Sequence, residues 1–354
     1  MKRNTKVVSV RGLGIGGENP IRIQSMTSTK TTDIDATLKQ IEELVKEDCE
    51  LVRIAIPDFK SLEAFKEIRK RTTVPLIADV HFNYKIAIGA IEVGADKIRI
   101  NPGNIGDKAK VKEIISALKQ NKKPLRIGVN SGSLEEELIE KCGGVTSECL
   151  VESATRWVDF FVKEGFDDII ISVKSSSVLD TVKSYTMLSS KLDFPLHLGV
   201  TEAGPLIPGT VKSSIAIGNL LMNGIGDTIR VSLTEDPVVE VRVAWEILKA
   251  LDLRYNAPVI VSCPTCARTR VDLMNLVREI EYGLRGVKKP LKIAIMGCEV
   301  NGPGEARDAD LGVAAEPGRG VIFKRGKMIK RIPQENIVKE LLMEIENFFE
   351  EDLR

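Results

Sequence analysis

Over roughly the first 250 positions, short β-branched apolar runs alternate with stretches whose apolar residues recur three and four apart. The runs are IRIQSM from Ile21, LVRIAI from Leu51, LIADVHF from Leu76 and KIRINP from Lys97. They continue with LRIGVN from Leu125, DIIISVKSS from Asp168, PLHLGV from Pro195 and TIRVSL from Thr228. Between them lie helical patterns such as DATLKQIEELVKE, SLEAFKEIRKR, DKAKVKEIISALKQ and DPVVEVRVAWEILKAL. The longest gap, between the fifth and sixth runs, holds two helical pieces around LEEELIE and VESATRWVDFFVKEG. Strands alternating with helices imply a parallel α/β sheet. Eight such units predict a closed (β/α)8 TIM barrel, with an open doubly wound sheet as the alternative.

Gly12 to Gly17 spell GLGIGG, which satisfies the glycine pattern of a dinucleotide site. Such a site needs a strand before the glycines and a helix after them. Here another strand, ENPIRIQSM, follows. The stretch therefore reads as a hairpin loop closing the bottom of the barrel. Past Asn256 the rhythm changes to a strand APVIVS, a helix VDLMNLVREIEYGLR, strands LKIAIMG and DLGVAAE, a GVIFKRGKMIKRI hairpin and a last helix from about Gln334. Strands between two helices suggest a small α+β domain. The expected division is a barrel over residues 1–252, a hinge within 252–258 and a second domain over 258–354.

The 354 residues, 43% of them apolar, suffice for two such cores. A formal net charge of +1 gives no electrostatic footprint for nucleic acid or an anionic membrane. The basic start MKRNTKVVSV lacks the apolar run of a secretory signal, and no stretch has the length of a transmembrane helix. Six cysteines in a chain this long do not make a disulfide framework, so a reducing cytoplasm is the expected location.

A barrel builds its active site where its strands end. The polar residues at those ends are Gln24, Arg53, Asp79, His81, Arg99, Asn101, Arg126 and Asn130, then Lys174, His197, Glu202, Arg230 and Ser232. Arg53, Arg99, Arg126, Lys174 and Arg230 are cations from five different strands. Converging on one mouth they would repel one another unless an anion lay between them. Guanidinium forks suit phosphate oxygens, so the pattern points to a substrate with more than one phosphate charge. The alternative is that each arginine pairs with a neighbouring acid. Asp79, His81 and Glu202 are the candidate proton handlers. For His197 a core histidine is an equal reading.

The second domain holds SCPTCAR, with Cys263 and Cys266, and MGCEVNGPGE, with Cys298. A redox dithiol needs no third cysteine, and structural zinc usually completes four Cys or His ligands, whereas this domain has no histidine. Iron-sulfur clusters also use Cys-x-x-Cys with a distant cysteine. Cys49, Cys142 and Cys149 lie in the barrel half and read as ordinary small apolar residues or free thiols. A fourth ligand from the same domain would then be an oxygen, and Glu305 ends a turn able to fold back toward Cys298. From spacing alone, a surface acid beside that turn is the preferred reading of Glu305.

Together these residues resemble one family. PIRIQSMTSTKTTD, ADVHFNYKIA, KIRINPGNIG, RIGVNSGSLE, SVKSSS, HLGVTEAG, DTIRVSLTEDP, SCPTCAR and GCEVNGPGE are similar to segments of the 4-hydroxy-3-methylbut-2-enyl diphosphate synthases. These are iron-sulfur enzymes of non-mevalonate isoprenoid biosynthesis. The resemblance runs from about Pro20 to the C-terminus, and the cysteine motifs with NGPGE are highly specific. It implies a TIM barrel joined to a cluster domain like those of sulfite and nitrite reductases, in the shorter bacterial form. By it, Cys263, Cys266, Cys298 and Glu305 hold a [4Fe-4S] cluster. Arg53, Arg99, Arg126, Lys174, Arg230 and Ser232 match diphosphate-binding positions. Asp79, His81, Asn130 and Glu202 match groups around the reacting carbons.

The implied reaction opens the ring of 2-C-methyl-D-erythritol 2,4-cyclodiphosphate reductively and dehydrates it, with two electrons passed through the cluster from ferredoxin or flavodoxin. The family also implies a homodimer in which one subunit's cluster domain closes over the other's barrel. Two readings compete with it. One is a zinc- or pterin-dependent barrel enzyme without net reduction, which metal analysis separates. The other is an iron-sulfur sensor of a diphosphate metabolite, which would consume no reductant.

Overall fold

The computed structural model describes residues 2–299 and 307–351. It divides into two compact units, Met1–Arg254 and Tyr255–Arg354. In the first unit, β1 (Val8–Val10) and β2 (Leu13–Ile15) form an antiparallel hairpin. The eight predicted runs follow as β3 (Arg22–Met26), β4 (Leu51–Ala55), β5 (Leu76–Val80), β6 (Lys97–Ile100), β7 (Leu125–Asn130), β8 (Ile169–Lys174), β9 (His197–Leu198) and β10 (Thr228–Ile229). They form one parallel sheet in the order β8-β7-β6-β5-β4-β3-β10-β9. A parallel bridge between Ile171 and Leu196 joins the two ends. The sheet is a closed barrel, and the open doubly wound alternative falls.

The helices start where the sequence supplies caps. Asp33 accepts from the Ala36 amide at the head of Ile34–Lys46, and Asp58 accepts from Ser61 at the head of Phe59–Lys70. Their apolar faces cover the barrel, so the strands are buried on both sides and read as continuous apolar runs. Val8, Val10 and Ile15 of the hairpin pack on Leu51, Ile77 and Ile170, at or next to the first residues of β4, β5 and β8. The glycine-rich decoy thus belongs to a stopper under the barrel. Gly16 and Gly17 take left-handed backbone as the chain leaves β2.

In the second unit, β11 (Val259–Ser262), β12 (Lys292–Met296) and β13 (Leu311–Glu316) are parallel. β14 (Arg319–Lys324) and β15 (Lys327–Pro333) continue the sheet antiparallel. Helices Leu273–Gly283 and Ile337–Glu351 cover one face, with Ile280, Leu341 and Ile345 against Ile293 and Ile295. The opposite face gathers Ala294, Met296, Ala314, Phe323 and the half-buried Cys263. The alternation along β12 places its isoleucines under the helices and turns the cysteine side the other way.

Candidate active site

β4, β5, β6 and β7 each turn one charged side chain inward near the barrel mouth: Arg53, Asp79, Arg99 and Arg126. Register sets Asp79 beside Arg99, and Arg99 beside Arg126. Asp79 is the hub. Arg99 Nη1 donates to its Oδ1 at 3.1 Å, and Arg53 Nη1 lies 3.5 Å from Oδ2. Burial alone would raise the Asp79 carboxyl, but the guanidinium groups of Arg53 and Arg99 outweigh it and hold the carboxyl well below the usual range. Asp79 is therefore an anionic acceptor. Burial lowers Arg53 to about 10 despite Asp79.

Arg99 Nη1 also stands 2.8 Å from His81 Nε2. A guanidinium only donates, so Nε2 accepts and the ring proton sits on Nδ1. Burial, followed by the surrounding arginines, keeps His81 below its ordinary value in spite of Asp79. It is a neutral imidazole here. A Cβ on Gly128 would fall 2.7 Å from Arg99 Nε, so the neighbouring strand leaves this guanidinium its space.

Arg230, just past β10, donates through Nε and Nη2 to Glu240 at 3.0–3.2 Å. Glu240 is buried on helix Pro237–Ala250 and also accepts from Ser25 Oγ and the Leu233 amide. It was not among the predicted residues. The only trace in the sequence is an acid on the apolar side of an amphipathic helix. Lys174 ends β8, and its Nζ packs so close to Gly199 that a Cβ there would lie at 2.7 Å. Among the described residues neither Lys174 nor Arg126 has an ion pair. The pairing alternative thus holds for three of the five cations and fails for two. Five cations stand against Asp79 and Glu240, leaving a strongly positive mouth.

Burial and then Arg126 and Arg53 push Lys174 well below its ordinary value, and the same causes act on Lys97. An unfolded lysine keeps its proton to about pH 10.4, so between the lowered folded value and that pH the unfolded chain binds more protons. Stability of the ligand-free barrel is therefore expected to rise with pH from 7 to 9 and to fall as the medium acidifies. Each group adds a slope of up to about 1.4 kcal/mol per pH unit. Urea midpoints at pH 7, 8 and 9 measure it, and a flat or falling series contradicts it.

Asn130 ends β7 directly beside Lys174 in register. Ser232 follows Arg230 by two residues and is half-buried. Glu202 lies in the loop after β9, exposed, with a left-handed backbone of φ 53° that few residues other than glycine adopt. His197 is fully buried inside the barrel, with Nδ1 2.7 Å from Thr228 Oγ1. It belongs to the lumen below the mouth.

In the second unit, Cys263 follows β11 and Cys298 follows β12, parallel neighbours in the sheet. The Gly297 amide donates to Cys263 Sγ at 3.2 Å. Arg270 N donates to the Gly297 carbonyl, and Cys266 is tied to Thr269 through both backbone groups. These bonds hold the CPTC loop against the Cys298 segment. The Arg268 amide pulls the exposed Cys266 thiol below its ordinary value. Amide donation to sulfur and thiolate character fit an iron-sulfur cluster. Among the described residues no trio of His, Cys, Asp or Glu gathers as for a single ion, and the corners of a cluster stand farther apart. Glu305 lies outside the described residues. Among those residues no helix is long and apolar enough to cross a membrane.

Residues 5–245 match the GcpE TIM-barrel domain, and residues 259–347 match the GcpE protein C-terminal domain. The chain is 52% identical to the 4-hydroxy-3-methylbut-2-en-1-yl diphosphate synthase (flavodoxin) of Caldanaerobacter subterraneus subsp. tengcongensis, covering 99% of both chains. It is 54% identical to the protein of that name from Fusobacterium nucleatum, covering 96% of both. Among solved structures, dihydropteroate synthase from Stenotrophomonas maltophilia superposes with a TM-score of 0.51 at 12% identity, covering 70% of this chain and 98% of that one. That likeness shows a shared barrel fold and nothing more. With both domain models matched in order and relatives identical at half their positions end to end, the chain belongs to the GcpE family of 4-hydroxy-3-methylbut-2-en-1-yl diphosphate synthases.

Proposed function

We propose that this chain converts 2-C-methyl-D-erythritol 2,4-cyclodiphosphate into 4-hydroxy-3-methylbut-2-enyl diphosphate, taking up two electrons and releasing one water. The observation that carries this reading is the excess of buried cations at the barrel mouth, two of them without a carboxylate partner among the described residues. Arg126 and Lys174 take the oxygens of the cyclic diphosphate, and each charge-assisted bond contributes about 1.5–3 kcal/mol. Arg53 and Arg99 stay anchored on Asp79 and offer their remaining N–H groups. Glu240 holds Arg230 in orientation, and Ser232 donates a hydroxyl. His81, neutral with Nδ1–H free to donate, and Asn130 bind hydroxyl oxygens of the sugar-derived chain. As the C2–O bond to phosphorus opens, these cations receive the new phosphate charge. Glu202 supplies the proton with which the C3 oxygen leaves as water.

Cys263, Cys266 and Cys298, with Glu305 as the fourth donor, would hold a [4Fe-4S] cluster, which when bound supplies electrons singly from flavodoxin or ferredoxin. Anaerobically purified protein is expected to be brown, with about four irons and four sulfides per chain. It should consume the cyclodiphosphate only when a reductant is present. A colourless, zinc-loaded sample with full activity would remove the redox reading.

We also infer a homodimer. Ile207, Val211 and Ile215, every fourth residue of helix Leu206–Met222, expose an apolar stripe, and Leu179 on Val178–Lys191 is 80% exposed. An apolar stripe of this kind is suited to its own copy across a two-fold axis. Ile215→Lys is expected to halve the mass seen in sedimentation, and an unchanged mass would place the contact elsewhere.

A further inference from the structure

Beneath the mouth, the barrel carries a second polar layer that the reaction just described does not use. Side chains along a strand alternate, so Lys97 faces the same way as Arg99, one inward step and about 6–7 Å lower. Its Nζ is completely buried and has no hydrogen-bond partner among the described residues. Among the described residues, other buried polar atoms of the barrel strands are also without partners. Gln24 lacks partners for both amide atoms, Arg126 for Nε and Nη1, and His197 for Nε2.

Among the described residues Lys97 makes no ion pair. The charged groups that act on Lys97 are Arg126 from β7 and Arg53 from β4, both cations. His197, from β9, sees Arg126, Lys174, Lys97 and Arg53. Tyr185 reaches in from helix Val178–Lys191 but gives its hydroxyl proton to the His197 carbonyl. Asp79 sits a layer higher and is shared by Arg53 and Arg99. The hairpin stopper closes the space below. An ammonium in such surroundings is unfavourable because it is dry, unpaired and faces like charge.

We propose that Lys97 takes up a proton as the substrate's diphosphate settles on the cations above it, so that binding is coupled to protonation of the barrel lumen. The inference rests on the diphosphate reading of the mouth. In the empty site the uncharged amine relieves repulsion with Arg126 and Arg53. The bound anion offsets those two charges and supplies an attractive field, and the ammonium becomes the favoured form. Lys97 then adds a charge behind the diphosphate without touching it. It is a positioning residue that acts through Arg126.

The sign follows from linkage. Binding raises the affinity of Lys97 for its proton, so between its free and bound values the complex holds more protons than its parts. Affinity in that window falls up to about tenfold for each unit rise in pH, and it is flat on either side. The cyclodiphosphate suits the measurement because each phosphorus carries one ester and one anhydride linkage and so holds no weakly acidic proton to release.

The test is calorimetric titration of the anaerobic holoenzyme, without reductant, with the cyclodiphosphate. It is run from pH 7 to 9 in pairs of buffers with different ionisation heats. Wild type is expected to take up protons within that range, Lys174 sharing in the uptake, and Lys97→Met to take up about one fewer per site while still binding. Binding with no buffer dependence across the range overturns the proposal, even if the methionine variant fails to fold. Full uptake retained by Lys97→Met also overturns it by assigning the proton to another group. No binding at all sinks the diphosphate reading and takes the coupling with it.

Discussion

A Cys298→Ser enzyme is expected to fold, to bind the cyclic diphosphate and to turn none of it over. Cys298 is almost fully buried beside Gly297, whose amide donates to Cys263 Sγ. Serine keeps the shape of the side chain and removes the soft thiolate that an iron-sulfur centre requires. The barrel cations belong to a unit with its own core, so substrate affinity should be untouched. Visible absorbance and iron content after anaerobic purification, beside calorimetric binding, separate the two effects. A brown and active Cys298→Ser enzyme would mean that the three thiols are not the ligands.

Glu202→Gln is expected to lower kcat by about 10²–10⁴-fold, the range for loss of a positioned general acid. KM and the visible spectrum should stay as in wild type. The backbone supports a role beyond surface charge. A left-handed glutamate costs on the order of 1–3 kcal/mol, and such residues persist where the surrounding structure holds them for a purpose. Glu202→Gly sharpens the test. It should relieve the strain and raise the thermal midpoint, while activity falls as far as in the glutamine variant. Near wild-type turnover in both would leave Glu202 as a loop residue.

Much of the barrel was legible because each strand is buried on two sides and so is written in β-branched residues. β9 and β10 are shorter than their runs: PLHLGV and TIRVSL keep only two ladder residues each. Gly199, with Arg230 O and Lys174 Nζ pressed against it, marks where the chain leaves the sheet for the mouth. Periodicity has no means of registering that departure.

Cations at strand ends pointed to the mouth, yet which of them were paired depended on Glu240, more than two hundred residues from Ser25 and hidden in a helix pattern. Lys97 escaped for a related reason. A lysine opening a strand looks solvated until the fold shows what covers it. His197 could be read either way because burial, not spacing, decides a histidine's part. The CPTC pair and the distant Cys298 were grouped from motif and spacing alone, and that β11 and β12 are parallel neighbours, with Cys263 and Cys298 just past their ends, is a pairing that no strand prediction contains.

The hairpin that packs Val8, Val10 and Ile15 into the foot of the barrel makes the vessel one-doored. Reactant and product share a single passage, so neither can be driven through from behind. Accumulated product would contest that doorway with incoming substrate.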